Sequence, residues 1–121
     1  MAEVAFIVLP DAVMNATLLL AGPLGAGDST SVLTINDGDS DVSVHVYGSV
    51  GGSTVVIQGS LTGVVFGALD DAYGSPLSFT TLTPLGPIKP IGPGVQAIKG
   101  VVTGGAGVAV FIAVYIVKGR R

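Results

Sequence analysis

Alternation of apolar and polar residues marks most of this chain as β structure, and it is clearest in Asp41 to Leu61 (DVSVHVYGSVGGSTVVIQGSL). Two alternating runs flank Gly51-Gly52, a dipeptide suited to positive φ at both central positions of a tight turn. Folding the runs back with Val50 opposite Ser53 predicts a hairpin. It pairs Val46 with Ile57, Val42 with Leu61 and Gly48 with Val55 on an apolar face. The other face then carries Ser43, His45, Tyr47 and Ser49 opposite Ser60, Gln58, Val56 and Thr54. One register sorts both runs, as a half-buried antiparallel pair requires.

The same reading extends along the chain. Residues 3–9 and 12–20 predict strands separated by a Pro10-Asp11 turn. Ala21 to Ser31 (AGPLGAGDSTS) reads as a loop, Ser31 to Ile35 as a short strand, and Asn36 to Ser40 as the turn leading into the hairpin. Val64 to Leu69 predicts a strand, Asp70 to Pro76 a turn, and Leu77 to Leu82 a further alternating strand. Pro84, Pro87, Pro90 and Pro93 recur every third residue, the period of polyproline II, so their rings share one edge of an extended segment. Residues 83–94 are therefore expected to form a stiff crossover or arm that packs on a neighbouring subunit, outside any central strand. Val95 to Thr103 resumes as a strand, Gly104-Gly105 turns the chain, and Gly107 to Val117 is a long strand apolar on both faces. The uninterrupted apolar run from Gly104 is 14 residues, short of the roughly 20 that a membrane-spanning helix needs. The expected fold is all-β: a single antiparallel β-sandwich of jelly-roll type over residues 1–121, with a Pro-rich extended arm.

Composition changes this picture in one respect. Hydrophobic residues make up 49% of the 121-residue chain and charged residues only 11%, against roughly a quarter charged in average soluble domains. So neutral a surface is expected to be covered in an assembly. All eight acids precede residue 72, and all five bases (Lys89, Lys99, Lys118, Arg120 and Arg121) follow residue 88. If the fold keeps them apart, the result is two surfaces of opposite sign, suited to contact between copies. Five bases without interleaved aromatics make a poor nucleic-acid footprint, so no nucleic-acid partner is expected. The opening residues, MAEVAFIVLPD, lack the basic start of a secretory signal.

Candidate chemistry is sparse. The chain has no cysteine and one histidine, His45, which removes thiolate chemistry and leaves zinc sites and Ser-His-Asp triads thinly supported. Asp37, Asp39 and Asp41 alternate like the first ligands of a calcium loop, but Val42 and Gly48 stand where that motif needs Gly and Glu. Asp70-Asp71 lies in a turn and is expected to face water rather than act as an acid/base pair. No glycine-rich segment fits a phosphate-binding loop. No cofactor, metal site or catalytic group is expected.

The segments VVIQGSLTG (Val55 to Gly63), Asp70 to Gly74, and Val102 to Gly105 followed by a hydrophobic strand and basic residues resemble turn and strand motifs of small structural proteins of tailed bacteriophages. The resemblance covers a little over half the chain, its C-terminal part. It departs where a Trp often follows the glycine turn, since Val65-Phe66 stands there. Among such proteins the chain looks most like capsid decoration (cement) proteins. That resemblance implies a virion protein made in the host cytoplasm and placed on the outer surface of the capsid. There it would clamp neighbouring major capsid protein subunits and contact further copies of itself as a dimer or trimer, without membrane contact. The gripping surface is expected to comprise Pro84, Pro87, Pro90, Pro93, Phe111, Tyr115, Lys118, Arg120 and Arg121, with the polar face of the hairpin turned to solvent. A tail, neck or head-fibre-base protein is the alternative within the virion, and a ligand-binding β-sandwich the alternative outside it.

Overall fold

The structure is a computed structural model, which describes residues 3–9, 16–35, 41–49, 51–80, 86–91, 95–105 and 108–117. Its strands are β1 (Glu3–Val4), β2 (Ile7–Leu9), β3 (Ala16–Leu24), β4 (Ser29–Thr30), β5 (Leu33–Thr34), β6 (Asp41–Ser49), β7 (Thr54–Ser60), β8 (Gly67–Ala68), β9 (Ser78–Phe79), β10 (Ile88–Ile91), β11 (Ala97–Thr103) and β12 (Ala109–Val117). No helix among the described residues is long and apolar enough to cross a membrane.

The strands form two sheets. One has the order β10-β6-β12-β3-β2, and the other has β1-β4-β11-β7-β8, with β5 also on β11 and β9 also on β7. All pairs are antiparallel except β1 with β4. Since β4 and β5 share one edge of β11, and β8 and β9 one edge of β7, the strands from β3 onward fill eight positions. The first, eighth, third and sixth make one sheet, and the second, seventh, fourth and fifth the other. That order is a jelly roll. The expected fold class holds.

Alternation builds the core. Along β12, Val110, Ile112, Val114 and Ile116 are buried, and along β6 so are Val42, Val44 and Val46. Val55, Ile57, Ile98 and Val102 meet them from the other sheet. At the centre, Gly100 of β11 leaves room for Ile112: a Cβ there would overlap Ile112 Cδ1 and lie 3.5 Å from Ile57 Cδ1. The Gly100 amide donates to Thr30 Oγ1 at 2.9 Å within the core.

Four expectations are corrected. Gly51 and Gly52 do turn the chain at φ 53° and 83°, but β6 and β7 do not pair. β6 lies between β10 and β12, while β7 lies against β11, β8 and β9. Val46 pairs with Ile112 and Ile57 with Gly100. Val42, Val46, Val55 and Ile57 face inward as expected, but Leu61 is exposed and Ser60, expected on the other face, is buried. Alternation fixes which side chains face inward, and two strands facing each other across a sandwich show the same pattern as a hairpin. Residues 3–9 divide between the two sheets rather than forming one strand. Within the expected loop 21–31, β3 continues to Leu24, wholly buried against Val110 through a register shift that absorbs Gly22-Pro23, and β4 follows. Of Val64 to Leu69, only Gly67–Ala68 is strand, because Val64 and Val65 have no sheet to cover them.

Candidate functional site

The outer face of the β10-β6-β12-β3-β2 sheet gathers apolar side chains from five separate strands. Across the sheet, Ile88, His45, Ala113, Leu20 and Ile7 lie in one row, and Pro90, Ser43, Tyr115, Leu18 and Leu9 in the next. These rows contain no Asp, Glu, Lys or Arg. Ile7 and Ile88 are 64% and 67% exposed, while Leu18, Leu20, Ala113 and Tyr115 are half-buried among their neighbours. Between the rows runs an open groove of about 320 Å³, lined by Leu18, Ser43, His45, Ile88, Ala113 and Tyr115 among others. Above it the His45 and Tyr47 rings are 4.8 Å apart, and Tyr47 stacks on Phe111 at 5.3 Å with the planes 11° apart. Five strands spaced by roughly 4.8 Å make this face about 20–25 Å wide.

Phe111 and Tyr115, expected in the gripping surface, thus lie together on one face. His45 and Tyr47, expected to look away from it, share the same face, because β6 and β12 are neighbours. Gln58 and Thr54, expected beside them, belong to the other sheet. The separation of a solvent-facing hairpin from a gripping terminal strand is therefore corrected.

Of the crossover or arm expected at residues 83–94, the described part forms the crossover, at a sheet edge. Pro87 accepts a hydrogen bond from the Val46 amide at 3.3 Å, and Pro90 sits in edge strand β10 opposite Ser43. Its carbonyl accepts from the Ala72 amide at 2.9 Å, outside the ladder, so its missing N–H also falls on the side away from β6. These two prolines close the chain's own sheet instead of forming a free arm. Pro84, Pro93, Lys118, Arg120 and Arg121 lie outside the described residues, as do Asp37, Asp39 and the side chain of Asp41.

The turn at Asp70 to Pro76 holds what the sequence reading missed. Asp71 is buried, only 7% exposed, not solvated. Its Oδ1 accepts from the Tyr73 and Ser75 amides at 2.8 and 3.0 Å, and its Oδ2 lies 3.7 Å from Lys89 Nζ on β10. The Ser75 amide holds the carboxyl below its ordinary range; burial opposes this, while the Tyr73 amide and Lys89 add to it. Asp71 thereby clasps the turn of one sheet to the edge of the other. The Asp-x-x-Gly spacing, Asp71 to Gly74, is the turn signal that pointed to it. Among the described residues no group of three or more His, Cys, Asp or Glu is placed to hold a metal ion.

No known family matches this chain, and no curated protein sequence is similar to it. Among solved structures it is similar to a cupin domain of Bordetella pertussis (12% identity over 95% of this chain and 92% of that one, TM-score 0.47). It is likewise similar to the Cnp3 cupin domain of Schizosaccharomyces pombe (11%, 94% and 60%, TM-score 0.49). A third likeness is to PliG of Aeromonas hydrophila, a periplasmic inhibitor of g-type lysozyme (13%, 95% and 96%, TM-score 0.46). At TM-scores below 0.5 these likenesses say nothing of function, and the sandwich assignment stands on the strand pairing itself.

Proposed function

We propose that this chain is a non-catalytic structural protein of a bacteriophage virion. In this reading it is a decoration protein on the outer capsid surface, docking through the outer face of the β10-β2 sheet onto major capsid protein. The observation that carries the reading is that face: wide and apolar, with no charged residue in its two central rows, on a chain with few charges anywhere. Covering Ile7 and Ile88 alone contributes about 1–2 kcal/mol each, and neither removes a charge from water. The jelly roll is a recurrent capsid-protein fold, though it also serves lectins and cupins, so it supports the reading without deciding it. The resemblance in the strand and turn motifs adds the phage context. The test is to locate the chain in particles by electron microscopy and count it. Hundreds of copies on the head support decoration, a dozen or fewer move it to the tail, neck or fibre base, and absence from the particle refutes the reading.

A second reading, a carbohydrate-binding sandwich, gains from the rings of His45, Tyr47, Phe111 and Tyr115 on one face. Sugar binding needs a flat aromatic platform open to the ligand, however, and Tyr47 and Phe111 turn their faces to each other. Glycan-array binding that is lost in Tyr115→Ala would favour this reading over decoration.

A further inference from the structure

Strand β10 ends the five-stranded sheet, and its outer edge is blocked in three ways. The Val46 amide donates to the Pro87 carbonyl across the β6 side. By alternation Lys89 and Ile91 also turn their backbone groups toward β6, while Ile88 and Pro90 turn theirs outward. Pro90 has no N–H, which leaves Ile88 as the one outward donor among the four residues of β10. The outward Pro90 carbonyl is taken by the Ala72 amide at 2.9 Å. Lys89 lies on the inward side of the edge, level with buried Val44, and its charge meets Asp71. Proline, an inward-pointing lysine and a covering loop are each means by which sheet edges are kept from pairing with other chains. All three converge on this strand.

We propose that the Asp70 to Pro76 turn is a self-blocking contact: it occupies the β10 edge and keeps a second copy of this chain from adding there as an antiparallel strand. The turn is firmly built for that role. The Asp71 amide donates to the Ser75 carbonyl at 2.7 Å, the Gly74 amide to the Asp71 carbonyl at 3.1 Å, and Asp70 bridges to Pro76. Buried Leu77 ties the turn to β7, its carbonyl accepting from the Ile57 amide at 2.9 Å. The block is thus anchored in the opposite sheet and stands where the next strand beyond β10 would lie. Ile88 is 67% exposed, so pairing of two such edges would join two apolar outer faces into one. With the turn displaced, a two-fold axis at Ile88 lets the outward Ile88 N–H and C=O of two copies bond reciprocally.

A72P tests the block without dismantling the turn. Ala72 is the second residue of the Asp71 to Gly74 turn, a position that favours proline. The change removes the amide that binds Pro90 and keeps the bonds of Asp71 to Tyr73, Gly74 and Ser75. D71A releases the turn by the second route, through Lys89. The assay is sedimentation of the purified full-length protein over a range of concentrations, with amide hydrogen exchange at Ile88 as the second readout. Both variants should reach at least twice the wild-type mass as concentration rises, and their Ile88 amide should exchange at least about tenfold more slowly than in wild type. Adding I88K to either variant sets like charges opposite each other across the two-fold axis and should restore the wild-type mass. A folded A72P or D71A that keeps the wild-type mass overturns the self-blocking role. Association that survives I88K, or that leaves Ile88 exchange unchanged, overturns this edge as its route. Failure of both variants to fold would make the turn a brace of the sandwich rather than a block, and overturns the proposal as well.

Discussion

Gly100 and Ile112 come from opposite sheets, and the core depends on their fit. Replacing Gly100 with Ala puts a methyl group on Ile112 Cδ1, with Ile57 and Thr30 side-chain carbons already at 3.5 Å. Ile112 is 1% exposed, so its terminal carbon can move only into a poorer rotamer or against the facing sheet. Overpacking of this kind costs about 1–3 kcal/mol, and the gain of roughly 0.5–1 kcal/mol from removing a strand glycine offsets part of it. G100A should therefore destabilise by about 1–1.5 kcal/mol, which lowers the melting temperature by roughly 4–7 °C in a domain of this size. Ile112→Val removes Cδ1 and by itself costs about 1 kcal/mol. In the double variant the added methyl occupies the space that Cδ1 vacates, so G100A/I112V should cost at most about 0.5 kcal/mol instead of the additive sum of about 2–2.5. Urea unfolding with an unchanged m-value is the assay. Additive losses, or a G100A variant as stable as wild type, would show that the two residues do not meet across the sandwich and would refute the packing described above.

Two further perturbations test how the edges are closed. Asp71→Asn keeps an acceptor for the Tyr73 and Ser75 amides but loses the charge facing Lys89. The folded carboxyl titrates below its ordinary value, so its stabilisation is present at neutral pH and is lost as pH falls through that lowered value. Wild type should melt above D71N at pH 7, and the two curves should converge in acid once the pH is below that lowered value; a gap that persists after the carboxyl is protonated would remove the ion pair and the amide cradle as its cause. Gly86→Ala asks whether the proline segment is docked. At φ 63° a Cβ would run into Val46 O and lie 2.7 Å from Tyr47 Cβ, so the substitution should cost about 3 kcal/mol or more. A free arm would tolerate it, and an unchanged thermal melt would restore the arm.

The sequence made parts of this fold legible for identifiable reasons. β11 and β12 stand where expected because their alternation is long and is bounded by Gly104-Gly105, whose φ angles of 74° and 85° suit a turn. The Ala21 to Leu24 segment was misread because Gly22 and Pro23 signal a loop locally, while burial of Leu24 beneath β12 prevails in the folded chain. The segregation of charge along the sequence does not survive folding intact: Asp71, the last of the acids, and Lys89, the first of the bases, form an ion pair. Asp71 itself was read as solvated because two adjacent acids in a turn give no hint that one is folded under an edge strand.

The apolar outer face of the five-stranded sheet was the least legible feature, and the reason lies in how sheets assemble surfaces. Each strand declares its own two faces through alternation, so His45 and Tyr47 were correctly set apart from Val44 and Val46, and Phe111 and Tyr115 from Ile112 and Val114. What alternation leaves undetermined is which strand lies alongside. Paired with β7, His45 and Tyr47 would sit opposite Gln58 and Val56 on a mostly polar face. Paired with β12 and β10, they lie beside Ala113, Phe111 and Ile88 and become part of an apolar one. The same side chains change character with their neighbours, because a docking surface is a property of adjacency between strands distant in sequence. The jelly roll places its third and eighth strands together, and that adjacency makes one continuous face from residues that look unrelated along the chain.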